Sequence, residues 1–324
     1  MEDIFNRLPV SDRYMIRYES ENGAPPSAVV LGIGVFDGVH LGHRRIIAEV
    51  AESARRLDAV PVAVTFFPHP REVLCPDSPP RLLLPPEERL RRLRDAGARG
   101  IGIIDFSECI AATSPEDFLS GILSGPSAIR GICVGTRWRF GRNGAGDTKF
   151  LSSSLAGREV IFNAVPELEI DGEQVSSSVI RDAIAAGELA KAGRMMGAPV
   201  CLYGEVEPGF HEATDILKAP TANLRVDYGV LPPDGVYATW AIVDGRRHPS
   251  VTNIGVAPTF GRGNERRVET HLFDFSGDLY RRALTVELQC KLRDELRFPS
   301  PAELKRPIAV DRMRALEIWT GGEK

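Results

Sequence analysis

Two histidines three residues apart, His40 and His43, stand in the run Gly34-Val35-Phe36-Asp37-Gly38-Val39-His40-Leu41-Gly42-His43. Imidazoles at that spacing share one face of a starting helical turn, so both can point at a single anion. An anion held there would also meet the backbone N–H groups of a helix N-terminus. Such donors suit attack on the α-phosphate of ATP, where negative charge builds on the phosphate oxygens and pyrophosphate departs. Positioning and charge stabilisation carry most of such a transfer, so no covalent nucleophile need be supplied. Arg181 follows the run Ser176-Ser177-Ser178, which reads as a helix cap, and offers a guanidinium suited to clamping released phosphates.

The elements that must position these groups can be read from the hydrophobic pattern. An apolar run over residues 28–35 leads into the glycine-rich turn, and a helical pattern over 44–57 follows it. These are the parts of a βα unit with a phosphate site at its turn. A second apolar run, 60–66, suits a strand buried on both faces. It ends in Phe66-Phe67-Pro68-His69-Pro70, so His69 is expected in a loop at the C-terminal edge of the sheet, where open α/β sheets bind ligands. Further strands are expected at 100–104, 128–134 and 159–165, with helices at 87–96, after Ser114-Pro115, and after Ser176. This alternation predicts a doubly wound, Rossmann-like parallel sheet over residues 28–196.

Past Gly197 the helical period gives way to short strand-like runs at 200–206, 236–243, 248–254, 267–275 and 284–292. Asp244-Gly245 marks a hairpin. The pattern predicts a small antiparallel barrel. Ser300-Pro301-Ala302-Glu303 reads as the start of a last helical segment, broken or restarted at Pro307 and running to about Trp319. The boundary falls between residues 187 and 199 and is drawn at 190, giving domains 1–190 and 191–324.

Composition narrows the classes. At 324 residues, 43% hydrophobic and 26% charged, the chain reads as a globular protein of two domains. A formal net charge of −4 argues against a nucleic-acid partner. Arg89, Arg91, Arg92 and Arg94 share their helix-like stretch with Glu87, Glu88 and Asp95 and read as a solvated face. The five cysteines, Cys75, Cys109, Cys133, Cys201 and Cys290, form no metal or redox motif and are expected to be reduced, mostly buried thiols of a cytoplasmic protein. Residues 1–20 lack the apolar core of a signal peptide, and no apolar run approaches the roughly 18 residues of a membrane span. Gly32, Gly34 and Gly38 give GxGxxxG rather than the dinucleotide fingerprint, no acid ends the second strand, and no P-loop motif occurs.

The chain resembles the bacterial bifunctional riboflavin kinase/FMN adenylyltransferases over about residues 15–318. Gly34 to His43 matches the nucleotidyltransferase signature of that family, Thr65 to Pro70 its TFxPHP segment, and Ser176 to Arg181 its serine-rich phosphate segment. The resemblance implies an α/β nucleotidyltransferase domain followed by a six-stranded riboflavin-kinase-like barrel with a C-terminal helix. It implies that His40, His43, Ser177, Ser178 and Arg181, with Gly34, Phe36, Asp37, Gly38 and Gly42, form the ATP-phosphate site. It assigns flavin contacts to Phe67, Pro68, His69, Pro70, Arg137 and Trp138. In the barrel, Pro220-Thr221-Ala222-Asn223 matches the PTAN motif, so Thr221 and Asn223 would hold Mg²⁺. Glu269 matches the general base for the ribityl hydroxyl, and Arg297, Phe298 and Asp311 match the C-terminal end. ATP, Mg²⁺, riboflavin and FMN are thus the implied ligands and FAD the product.

Two segments depart from the family pattern. Arg137-Trp138 stand where relatives carry an acid or amide and a phenylalanine, and a cation cannot accept a hydrogen bond. The loop Gly209 to Thr221 keeps only one of the family's glycines and carries Glu212 and Asp215, with Lys218 as its cation. Three readings follow: an enzyme with both activities, an FMN adenylyltransferase with a barrel that does not turn over, and a non-catalytic flavin- or nucleotide-binding protein. The intact histidine pair and Arg181 count against the third.

Overall fold

A computed structural model describes residues 16–19, 26–125, 127–207, 221–256, 266–273, 275–295 and 305–321. The chain divides into two compact units, Met1–Pro80 with Pro86–Val175, and Arg81–Pro85 with Ser176–Lys324.

The first unit is built on strands β1 (Ile16–Glu19), β2 (Ala28–Ile33), β3 (Val60–Phe67), β4 (Gly100–Asp105), β5 (Ala128–Gly135) and β6 (Ile161–Val165) in the order β1-β4-β3-β2-β5-β6. All neighbours are parallel except the edge pair β1 and β4. The central strands are nearly continuous apolar runs because both faces are covered. Val29, Leu31 and Ile33 of β2 join one core cluster with Phe118, Leu119, Ile122, Leu151 and Leu155, while Val30 joins another with Cys133, Val50 and Ala54. Each such aliphatic side chain contributes roughly 1.5–3 kcal/mol on burial.

Helices α1 (Leu41–Arg56), α2 (Pro70–Leu74), α3 (Pro86–Asp95), α4 (Glu108–Ala111), α5 (Pro115–Leu123) and α6 (Thr148–Leu155) complete this unit with a short hairpin, β7 (Glu169–Ile170) and β8 (Glu173–Gln174). A methyl group at Gly32 would meet Val50 of α1 at 2.7 Å, so glycine there lets the helix seat on the sheet. The chain leaves β2 toward β3 and β4 on one side and continues at β5 and β6 on the other. The loops after β2 and β5 therefore diverge at a topological switch point, the usual cleft of such sheets.

The second unit begins with α7 (Ser177–Ala185) and α8 (Leu189–Met196). Its strands are β9 (Val200–Glu207), β10 (Thr221–Tyr228), β11 (Gly235–Val243), β12 (Arg246–Val256), β13 (Arg266–Leu272) and β14 (Ala283–Arg293). They close an antiparallel barrel in the order β10-β13-β12-β11-β14-β9. Strand β10 completes the six and was absent from the five runs expected from hydrophobic pattern. Asp244 and Gly245 both hold positive φ, as a tight hairpin requires. Thr239 bonds to Ser250 at 2.7 Å and to Thr252 at 2.9 Å, and Thr252 to Thr270 at 3.0 Å, a buried hydroxyl chain in which each member has a partner. Helix α9 (Lys305–Gly321) packs Ala315 and Trp319 against Val236, Ala238, Val251 and Phe273. Arg293 reaches it with a two-pronged ion pair to Asp311, Nη2 at 2.8 Å and Nε at 3.0 Å. Pro307 falls in its first turn, where proline is tolerated. The cap expected at Ser300–Glu303, with Arg297 and Phe298, lies outside the described residues, as does the loop 209–219.

Two expectations are corrected. Arg89 and Arg92 are 2% and 8% exposed, so only part of that helix is a solvated face. Arg91 does face water, pairing with Glu88 and Asp95. Of the cysteines only Cys133 is buried, whereas Cys75 and Cys109 are exposed, because their short helical segments lie at the surface of the unit. Burial pushes the Cys133 thiol up to about 11.

Candidate active sites

The run from Gly34 to His43 forms the turn between β2 and α1. His40 is the N-cap of α1: its Nδ1 accepts the His43 backbone N–H at 3.3 Å. An accepting Nδ1 carries no proton, which leaves the proton of the neutral ring on Nε2. The two rings stack with centroids 3.6 Å apart and planes 19° from parallel, the shared face expected from their spacing. His40 is 4% exposed. The Nδ1 of His43 is shielded from solvent and has no hydrogen-bond partner among the described residues. A buried nitrogen in that condition is costly to the free protein and suits a ligand oxygen. Burial, followed by His40 and Arg89, holds the His43 imidazole well below its ordinary range, so it is neutral at pH 7.

The turn is shaped around this stack. Gly38 holds φ of 83°, and Phe36 and Val39 hold 55° and 41° although they carry side chains. A methyl group at Gly42 would stand 3.2 Å from the His40 ring, so glycine keeps that ring in place. Phe36 is buried and meets His43 edge-on at 5.2 Å, and Asp37 is buried beside it. Gly34 donates from its N–H to the Val64 carbonyl at 3.0 Å, tying the turn to β3.

The other residues expected at the site of the first unit fall at the same end of its sheet. Phe67 ends β3, with Phe67, Pro68 and Pro70 half-buried. His69 is not in open loop but caps α2, its Nδ1 accepting from the Arg71 N–H at 3.0 Å while Glu72 accepts the His69 N–H at 2.7 Å. Arg137 and Trp138 follow β5. Arg137 pairs with Glu167 at 3.3 Å and bonds to Gln174 of β8. Trp138 stacks on Phe140 at 4.6 Å and lies near Phe118.

In the second unit, Ser176 caps α7, its hydroxyl accepting from the Val179 N–H at 3.3 Å. Ser177 and Ser178 form the first turn, and Arg181 on the next turn donates from Nε to the Arg81 carbonyl at 2.7 Å.

The barrel site is set by strand register. Asn223 of β10 lies directly across from Glu269 of β13, and Asn253 of β12 lies across from Glu269 on its other side. Opposed residues share a face with Cβ atoms about 4.5–5.5 Å apart, so the carboxylate stands between two amides. Burial pushes the Glu269 carboxyl above the ordinary range, with Arg267 opposing and Glu295 adding to the push. The Glu295 carboxylate fills the space a side chain at Gly255 would need. Thr221 opens β10 at the same end. Asn253 was not foreseen: alternation puts it on the face opposite Ser250 and Thr252, but only pairing reveals Glu269 as its neighbour. Among the described residues no cluster of three or more His, Cys, Asp or Glu could hold a metal by itself. Asn223 offers a hard side-chain oxygen on the strand that Thr221 opens, the donor type Mg²⁺ shares with substrate phosphates rather than a protein-only cage.

An α/β nucleotide-type unit with a histidine pair at its switch point, followed by a closed six-stranded barrel, defines a transferase of two parts. Residues 23–179 match the family model described as FAD synthetase, and residues 196–319 match that described as riboflavin kinase. The chain is 37% identical over 286 residues to the bifunctional riboflavin kinase/FMN adenylyltransferase of Pseudomonas fluorescens, covering 87% of this chain and 90% of that one. It is 31% identical over 299 residues to the enzyme of the same name from Bacillus subtilis (strain 168), covering 91% and 94%. The chain belongs to the bifunctional riboflavin kinase/FMN adenylyltransferase family and carries both of its domains. A solved structure from Streptococcus pneumoniae, described as a macrolide-efflux protein, matches 90% of this chain and 94% of its own at 28% identity and a TM-score of 0.78. Among the described residues of the present chain, no helix is long and apolar enough to cross a membrane.

Proposed function

We propose that this chain makes FAD from riboflavin in two ATP-dependent steps, phosphorylation of riboflavin to FMN in domain 191–324 and adenylylation of FMN in domain 1–190. The reading rests most on one observation, the stacked His40–His43 pair with a buried, unpartnered Nδ1 at a helix N-terminus. In adenylyl transfer the FMN phosphate attacks the α-phosphorus of ATP and pyrophosphate leaves. His40 and His43 bind the ATP phosphates as neutral donors, and the N-terminal amides of α1 share that charge. Gly34, Phe36, Asp37, Gly38 and Gly42 shape the turn that receives them. By the family pattern Ser177, Ser178 and Arg181 are further ATP-phosphate contacts, and Phe67, Pro68, His69, Pro70, Arg137 and Trp138 receive the flavin.

In the barrel, Glu269 takes the proton of the ribityl hydroxyl as that oxygen attacks the γ-phosphorus of ATP and ADP leaves with the bridging oxygen. A carboxyl held above its ordinary range by burial is a stronger base for that task. Thr221 and Asn223 would hold Mg²⁺, which when bound supplies neutralising charge to the transferred phosphate. The substrates are small molecules met in the cytoplasm, with neither nucleic acid nor membrane as partner. A narrower reading, adenylyl transfer alone, is favoured by Glu212 and Asp215 standing where the family has phosphate-loop glycines. Purified protein with ATP, Mg²⁺ and either flavin, its products separated by chromatography, distinguishes them. FMN from riboflavin followed by FAD is expected. FAD from FMN only supports the narrower reading, and neither product leaves a binding protein. Changing both His40 and His43 to Ala is expected to lower FAD formation by at least about 10³-fold and to spare the kinase step.

A further inference from the structure

Arg89 lies in a helix rich in charge, yet it is among the most buried side chains of the chain at 2% exposure. Removing a guanidinium from water is costly unless its N–H groups find acceptors. Its Nη1 donates to the Val35 carbonyl at 3.2 Å. The same oxygen accepts the Thr65 hydroxyl at 2.8 Å, and Thr65 is also buried. One carbonyl thus ties the turn after β2 to both β3 and α3. It lies immediately before Phe36, the first of the two non-glycine residues with positive φ in that turn. Such conformations cost about 1–3 kcal/mol each and persist only where the surroundings hold them. The Phe36 ring is in turn the edge against which His43 rests. Relaxation at Val35 would move Phe36 and tilt His43 away from His40.

Resting on the assignment of adenylyl transfer to His40 and His43, we propose that Arg89 is a positioning residue for that reaction. With Thr65 it clamps the Val35 carbonyl and so holds the turn that presents both histidines. Arg89 touches no reacting atom in this role. Its charge acts a second time on the stack: after burial and His40, it helps keep the His43 ring neutral.

The test compares Arg89→Met, Arg89→Lys, Thr65→Val and the double variant Arg89→Met/Thr65→Val in FAD formation from FMN. Arg89→Met is expected to lower kcat by about 10²-fold with KM for ATP changed less than about threefold. Arg89→Lys, which keeps the charge and one donor, is expected to recover about tenfold of that loss, and Thr65→Val alone to cost about tenfold. Because both side chains act through one oxygen, the double variant should lose no more than about threefold beyond Arg89→Met. The His43 ring, followed by NMR on labelled histidine, should titrate at higher pH in Arg89→Met and stay unchanged in Thr65→Val. Wild-type kcat in Arg89→Met, or single losses that multiply in the double variant, overturns the clamp. Should Arg89→Met not fold, Thr65→Val decides, and wild-type kcat there overturns it. The variant with both histidines changed to Ala is run alongside. If it still makes FAD, the site assignment has failed. If it is inactive while Arg89→Met is fully active, only the clamp has failed.

Discussion

The two candidate sites are constructed by opposite means. The site of the first unit is a turn of about ten residues whose backbone is forced into uncommon conformations at Phe36, Gly38 and Val39. It depends on local wedges: glycine at 42, a capping imidazole, and one carbonyl held from two sides. The site of the barrel needs none of these. Asn223, Glu269 and Asn253 fall in a row because three neighbouring strands are in register, through ladders that pair Thr221–Leu224 with Val268–His271 and Ser250–Val256 with Arg266–Leu272. A turn can be spoiled without touching a reacting group, whereas a row across a closed barrel is damaged chiefly by replacing the side chains themselves.

Substitutions test that contrast. The largest effect in the barrel is expected for Glu269→Gln, which removes the base while keeping the shape. Riboflavin phosphorylation should fall by about 10²–10⁴-fold with adenylyl transfer of supplied FMN unchanged. Because burial raises the Glu269 carboxyl, the base form is present only above that raised value. The acid limb of the kinase pH profile should therefore lie above the ordinary carboxylate range, and should be absent from the residual rate of the variant. A limb in the usual carboxylate range would remove Glu269 from the role of base.

In the turn, a single methyl group should suffice. Gly42→Ala adds a carbon 3.2 Å from the His40 ring. FAD formation is expected to drop by about 10–10²-fold with the melting temperature little changed, since the misplacement is small and local. A comparable loss from Asn253→Ala in the kinase step would show that the barrel row is as easily upset and would end the contrast. The smallest change is expected at Arg137, whose pairs with Glu167 and Gln174 are exposed and worth little in stability. Arg137→Asn should shift the KM for FMN severalfold, about 3–10-fold, as an acceptor replaces a cation. An unchanged constant would free this position from any part in flavin handling.

Much of this was legible in the sequence, for reasons that differ by site. At residues 34–43 the apolar run, the glycines, the helix start and the histidine spacing all act within a dozen residues, so local pattern was enough. Ser176 as a cap and the hairpin at Asp244-Gly245 were readable for the same reason. Helix α6 was missed because Ser152, Ser153 and Ser154 are weak helix formers, and its capping Asp147 accepts from the Phe150 N–H at 2.9 Å in a stretch that reads as loop. Strand β10 is hard to read in sequence although Ala222 and Leu224 are buried and Arg225 and Asp227 exposed, because its alternation is short and begins inside the polar PTAN residues. The burial of Arg89 was not legible at all. Its acceptor, Val35, lies 54 positions earlier, and four arginines among three acids describe a wet helix until the fold brings that carbonyl to one of them.

The five residues Arg81–Pro85 are grouped with the second unit, while the chain on either side of them is grouped with the first. The Leu82 carbonyl accepts the Gly229 N–H at 2.8 Å, and Arg81 donates to the Val226 carbonyl at 3.4 Å. The chain thus passes between units at 80/81, 85/86 and 175/176 rather than once. A gene cut at a single point after residue 190 would hand the barrel to its new owner without the short piece that meets the end of β10. A boundary drawn through one peptide bond therefore leaves two hydrogen-bonding partners of the barrel, the Leu82 carbonyl and the Arg81 guanidinium, on the far side of the cut.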